Sequence, residues 1–275
     1  MASSDIVIID SKSRFAPFAI LELPRYSELI AALTQREVKA RYRQTLLGFS
    51  WAIAQPLAFM IVFNLVFSRF AKVPSDGVPY PVFSYAALVP WTFLTNALNS
   101  ATISLVSQRS IVTKTYFPRE VIVISQITAR FIDFLAAALV FAGLMVWYQI
   151  PPSAWLLFVP VLLMIQMILM LALSLITAAM HVSYRDLAPV VTLGLQVWLY
   201  LTPVSYPMSI VPAEWRSLYI LNPMAGLIES YRDVVVHGRA PQLDALGASV
   251  IISIVLFVGG YIYFKHAERA FADVI

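Results

Sequence analysis

Cysteine is absent from the chain, which excludes disulfides and thiolate metal sites. Charge is scarce as well: only 12% of the 275 residues are Asp, Glu, Lys or Arg, while 60% are hydrophobic, and the mean hydropathy is +0.79. A soluble core could not hide that much apolar surface, so the solvent must be lipid. Met1 to Asp10 contain Asp5 and Asp10 and no basic stretch. A cleavable secretory signal is therefore not expected, and the first span must direct insertion itself. Also missing are a Walker A loop, a dinucleotide fingerprint, a zinc-protease helix motif and a paired-carboxylate motif with flanking glycines. The expectation is no catalytic, cofactor or metal residue in this chain, with any energy for uphill movement supplied by another chain or an ion gradient. The net charge of +4 is concentrated near span ends and needs no nucleic acid to explain it.

What is present is apolar runs of membrane-crossing length, roughly 17 to 25 residues each for a hydrocarbon core of about 30 Å. Six fit, giving an all-α integral membrane fold. Residues 1–50 form a cytoplasmic N-terminal segment, and residues 51–275 a six-helix transmembrane domain. From Pro24 to Arg43 the pattern is helical, but Glu28, Arg36, Glu37, Lys39, Arg41 and Arg43 are too many charges for lipid. Leu29, Ile30, Leu33 and Ala40 share a face, as in an amphipathic helix lying in the interface plane.

The spans are expected at about 51–70, 82–107, 121–148, 154–180, from Asp186 to about Val204, and 243–264. Asp186 is placed to cap the fifth by accepting from free first-turn amides. The second span is unusually polar. Asn96, Asn99, Ser100, Thr102 and Ser104 should face other helices or a water-filled path. Ser217 to Val236 is apolar enough to suggest a seventh crossing, but Asn222-Pro223 interrupts it and Glu229, Arg232 and Asp233 load the remainder. Two short helices dipping into the outer leaflet fit better. Thirteen Lys or Arg then fall inside, five outside, and Arg130 within a span, which places both termini in the cytoplasm.

Between the second and third spans lies Gln108 to Glu120, with three cations and an apolar face of Ile111, Val112, Tyr116 and Phe117. A short cytoplasmic helix of this kind is shaped to receive force from a soluble partner. Arg130 and Asp133, three residues apart on the third span, are spaced to neutralise each other as a structural ion pair near the inner third of the membrane.

Three stretches together resemble the permease subunit of polysaccharide-exporting ATP-binding-cassette (ABC) transporters, the family moving O-antigen, capsule or teichoic acid chains. They are Tyr42 to Pro56, Lys114 to Glu120 ending Tyr-Phe-Pro-Arg-Glu, and Tyr184-Arg185-Asp186 with Leu201 to Pro207 and Leu221 to Pro223. The resemblance implies two copies of this chain around a lipid-linked polysaccharide in a bacterial inner membrane, with two copies of a separate ABC ATPase that bind ATP and Mg. It puts the coupling helix at about 107–116, with Lys114, Tyr116, Phe117, Pro118 and Arg119 as ATPase-coupling residues. It puts extracytoplasmic gate helices at about 212–222 and 223–236, with Trp215, Tyr219, Glu229 and Arg232. Aromatic faces suit sliding contact with sugar rings, and Phe59, Phe63, Trp198 and Tyr200 are the substrate-channel candidates. Trp51, Trp147, Tyr148 and Trp155 lie at span ends, as interfacial anchors do.

Two alternatives compete with this reading. An exporter of drugs or lipids would share the architecture. A membrane enzyme acting on a lipid-linked sugar would use Glu229, Asp233 or His237 as acid and base, although their spacing reads more simply as a helix-surface salt-bridge set.

Overall fold

In the computed structural model, residues 19–43, 48–115 and 117–271 are described, and among them every regular element is helical. The first helix, α1, covers Ser27–Tyr42, and α2 covers Trp51–Phe63 and continues as a π-helical stretch over Asn64–Phe70. A turn with Asp76 and Gly77 both at positive φ (49° and 85°) reverses the chain into α3, Tyr80–Ser107. Then come the short α4, Arg109–Lys114, and α5, Glu120–Trp147. A 3₁₀ turn at Ala154–Phe158 leads into α6, Val159–Ser183, followed by α7, Leu187–Leu201. Next are α8, Ala213–Ile220, and α9, Pro223–Tyr231, the latter prolonged by a π-helical stretch at Arg232–Val236. The chain closes with α10, Leu243–Ala267.

Among the described residues, four helices are long and apolar enough to cross a membrane: 51–70, 120–147, 154–183 and 243–270. The other two expected spans depart from that standard for different reasons. With 28 residues α3 is long enough, at about 42 Å, but it is the least lipid-like because it is the central post, packed against α2, α5, α6, α7 and α9. Four of the five polar groups singled out on it reach other helices, while Ser104 donates back to the Ala101 carbonyl of α3 itself. Asn96 donates to Gln55 on α2, Ser100 accepts from Arg130 on α5, Thr102 meets Thr177 on α6, and Thr192 on α7 donates to Asn99. By contrast α7 is apolar but has only 15 residues, about 22 Å and short of the ~30 Å core. It stops at Leu201, where Thr202 turns to extended geometry ahead of Pro203.

Ser217 to Val236 is divided as expected: α8 ends at Ile220, and Asn222 starts α9 by accepting from the Met224 amide at 3.1 Å. Two corrections are local. Asp186 occupies the N-cap position of α7, but its side chain makes no capping bond, because the residue is in helical geometry rather than the extended form that aims the carboxylate at the free amides. In α1, Leu33 is buried and Leu29 and Ile30 are half-buried, whereas Ala40 is exposed. This helix lies along α5, with Thr34, Glu37 and Arg41 in turn meeting Ser125, Gln126 and Asp133, so its inner face is defined by one protein neighbour.

The buried side chains form two clusters. The larger gathers the first half of α3, the second half of α5, the first half of α6 and α9. The smaller gathers Leu33, Leu105, Val112, Phe117, Val121, Leu175, Phe264 and Phe271 at the opposite end, beside α4. Close approach between helices relies on glycine at two places. A Cβ at Gly226 of α9 would meet the Ala245 carbonyl oxygen at 2.4 Å, and one at Gly260 of α10 would meet the Ala172 carbonyl oxygen at 2.9 Å.

Candidate functional site

The connection between α3 and α5 is short, polar outside and apolar inside. Gln108 closes α3, and its carbonyl accepts from the Ile111 and Val112 amides to start α4. One face then carries Arg109, Ser110, Thr113, Lys114 and Thr115 into solvent, while Val112 is buried. Tyr116 lies outside the described residues. Phe117 does not face outward as expected: only 7% of it is exposed, and it joins the smaller core cluster with Val112 and Phe271. Of the apolar face predicted for a partner, Ile111, Val112 and Phe117 pack within the chain itself. Pro118 and Arg119 set the start of α5, their carbonyls accepting from the Val121 and Ile122 amides.

The start of α5 is bolted to the end of α10. Lys265 Nζ lies 2.5 Å from Glu120 Oε1 and 2.8 Å from Glu268 Oε2, and Arg119 Nη1 donates to the Glu268 carbonyl at 2.8 Å. No local spacing could have disclosed this joint, since its two halves are about 150 residues apart.

Further up α5, Arg130 Nη1 is 3.4 Å from Asp133 Oδ2, but the pair is not self-contained. Arg41 Nη1 is nearer to that oxygen, at 2.9 Å, and the Tyr42 hydroxyl donates to the other. Burial, then the bond to Asp133, pushes the Tyr42 phenol up to about 12, so it remains a donor at neutral pH. Arg130 in turn donates through Nε and Nη2 to Ser100. Arg41, Tyr42, Arg130 and Asp133 line one cavity of about 170 Å³ together with Trp51, the first residue of α2. The charges therefore gather beside the first turn of α2, where α5 runs along α1.

At the other end, Arg232 is 1% exposed. Its guanidinium lies 3.6 Å from the Phe83 ring centre and donates to the Pro203, Val204 and Tyr206 carbonyls at 2.6, 2.8 and 3.4 Å and to Glu229 at 2.8 Å. Asp233 is equally buried and paired with Arg239 at 2.6 Å. The acids expected on a helix surface are thus paired with guanidiniums, Glu229 with the buried Arg232 and Asp233 with the exposed Arg239, and α9 itself is packed among α3, α6 and α10 rather than lying on them. Glu229 and one oxygen of Asp233 are engaged in these ion pairs. Of the other expected gate residues, Trp215 is exposed and Tyr219 shares a 2.6 Å hydroxyl contact with Tyr206.

The channel candidates separate. Phe63 is buried edge-on to Phe67, and Trp198 packs edge-on to Trp91 while donating to Asn222. Phe59 and Tyr200 point outward.

A six-residue helix slung beneath a polar central post, two short helices before the last long one, and no nucleotide motif together form a recognisable arrangement. Residues 28–236 match the family described as ABC-2 type transporter. The chain belongs to the ABC-2 type transporter family. Similar proteins include the O-antigen export system permease protein RfbA of Myxococcus xanthus, 33% identical over 259 residues, covering 93% of this chain and 98% of that protein. The protein of the same name from Klebsiella pneumoniae is 27% identical over 90% of this chain and 95% of its own length. More distant is the polysialic acid transport protein KpsM of Escherichia coli, 22% identical over 87% and 93%. As an ABC-2 type transporter, the chain is a multi-pass membrane protein, and the relatives are named as transport proteins rather than enzymes.

Proposed function

We propose that this chain is the channel-forming membrane subunit of an exporter that moves a lipid-linked, O-antigen-like polysaccharide across the bacterial inner membrane. The observation that carries the reading is the near end-to-end similarity to O-antigen export permeases. In this reading each copy crosses six times with both termini in the cytoplasm: α2, α5, α6 and α10 cross on length and composition, α3 as a protein-shielded post, and α7 as the short fifth. Two copies form the pathway. The faces of α2 and α7 favour this, since Ile61, Val62, Val190, Leu193 and Val197 are exposed and only Leu195 is buried on α7.

Energy comes from two copies of a separate ABC ATPase, to which ATP and Mg belong. The cations and hydroxyls of α4 and Thr115 meet that subunit, Lys114 among them, with Tyr116 beside them in sequence. Phe117, Pro118 and Arg119 act one step behind: Phe117 keys α4 into the core, and Arg119 ties it to α10. The outer gate is α8 and α9, with Arg232 and Glu229 as its buried hinge pin and Trp215 and Tyr219 towards the polymer. Phe59 and Tyr200 are the channel aromatics, and Phe63 and Trp198 support them.

Affinity purification of the tagged chain from its native membrane tests this directly. The expected product contains two copies of the chain and two of an ABC ATPase, with hydrolysis only when the ATPase is present. Hydrolysis by the chain alone, persisting after repurification, would contradict it.

A further inference from the structure

The joint between the first turn of α5 and the last turns of α10 is stronger than either helix end needs. It is a closed set of two cations and two anions, Arg119 and Lys265 with Glu120 and Glu268. Glu120 is 1% exposed, and Lys265, its charged partner, also holds Glu268. Arg119 meets Glu268 twice, through its backbone amide at 3.3 Å and its guanidinium at 2.8 Å. Aromatic packing doubles the link: Phe271 stands edge-on to Phe264 and joins Phe117, Val112 and Val121 in the smaller core cluster. The same few residues therefore fasten α4, the start of α5 and the end of α10 to one another. Pulling the Glu120 and Lys265 pair apart would leave a buried charge uncompensated, so these segments shift together.

That connection is carried across the molecule by α10. Its 25 residues span about 37 Å. At the end opposite the joint it meets α9 with no side chain as a cushion, since the space for a Cβ at Gly226 is filled by the Ala245 carbonyl and the Ser249 hydroxyl. Such a contact cannot absorb a shift by changing a rotamer, and rigid helices in close contact are what carry coupling between distant sites. Directly after α9 comes Arg232, which holds the carbonyls of Pro203, Val204 and Tyr206. The route along the chain, through α6, α7 and α8, instead crosses every connecting turn before it reaches α9.

We propose that this joint makes α10 the rod by which motion of α4 reaches α9, with Lys265 as the positioning residue that fixes α10 to the start of α5. The proposal rests on the reading in which α4 meets an ABC ATPase and α9 belongs to the outer gate.

The test uses the full-length chain with its copurified ATPase in lipid nanodiscs. A spin label is attached at Leu221→Cys, an exposed position just before α9 in a chain that otherwise has no cysteine. Pulsed electron paramagnetic resonance then reads the distance between the labels of the two copies, with ATP and without. With the joint unaltered, the distance is expected to shift when ATP is added. Glu120→Gln with Lys265→Met removes both charges at once, so no fully buried charge is left unpaired. This double variant should lose the shift while ATPase capture, hydrolysis and melting temperature stay as they were. Lys265→Arg keeps a cation that can bridge both acids and should keep the shift. A full shift in the double variant, or a shift lost equally in Lys265→Arg, would overturn the proposal. So would a shift lost together with ATPase capture or thermal stability, which would show that the joint only holds the fold. A bound, hydrolysing ATPase that moves nothing at position 221 of the unaltered joint would overturn it as well. If no ATPase copurifies with the unaltered chain, the functional reading itself fails, and the proposal with it.

Discussion

A guanidinium that is almost completely buried and pins four backbone carbonyls is an expensive feature, and Arg232 persists because Nε, Nη1 and Nη2 are all engaged. Removing it leaves Glu229 buried against an unpaired neighbourhood, a loss of about 3–5 kcal/mol for a broken buried pair. Arg232→Met is therefore expected to lower the melting temperature of the purified chain sharply. Arg232→Lys should rescue little, since an ammonium cannot reproduce a planar fork over the Phe83 ring. Melting curves of the two variants decide it; a fully stable lysine variant would show that charge alone is sufficient. At Gly226 the restraint is space. The methyl of Gly226→Ala would need the Ala245 carbonyl or Ser249 to move, and an overpacking cost of about 1–3 kcal/mol should appear as a lower melting temperature.

At the scale of elements, α4 and the residues following it divide into an outward set and an inward set, and the two should fail differently. Phe117→Ala empties part of the smaller core, with a cost of about 3–5 kcal/mol, and should reduce the amount of inserted protein. Arg109→Ala with Lys114→Ala touches no buried group and should leave that amount unchanged while weakening ATPase capture and export. The check is ATPase pull-down and export, each normalised to membrane level. Normal capture in the double cation variant would remove α4 from the docking surface.

Much of this element-level arrangement was legible in the sequence. Run length and the break at Asn222-Pro223 disclosed the long helices and the two short ones, because membrane-crossing length and proline act locally. The inward turn of Phe117 was not legible, because an amphipathic segment looks the same whether its apolar face meets its own chain or another. Nor was the partnership of Arg41 and Tyr42 with Asp133, since the i, i+3 spacing of Arg130 already supplied a plausible mate and the better one lies 92 positions away. Burial of Asp233 depends on the packing of Arg232–Val236 against α3 and the turn at Ala154–Phe158, which no local spacing reveals.

For the whole molecule, the proposed function accounts together for the polarity of α3 and the exposure of α2 and α7: α3 serves as the post of a single copy, and α2 and α7 are the faces proposed to meet a second copy. The same account places both chain ends on one side. Single cysteines can be introduced into this cysteine-free sequence and labelled in intact cells with a membrane-impermeant reagent. Position 76, in the turn between α2 and α3, should label, and position 269, beyond α10, should not; the reverse pattern would invert the topology. The most direct test of the central claim is where the polymer accumulates in cells that lack this chain. The account predicts that finished, lipid-linked polysaccharide builds up on the cytoplasmic side and disappears from the surface, both reversed by the intact chain. Polymer still reaching the surface at normal levels without this chain would contradict it.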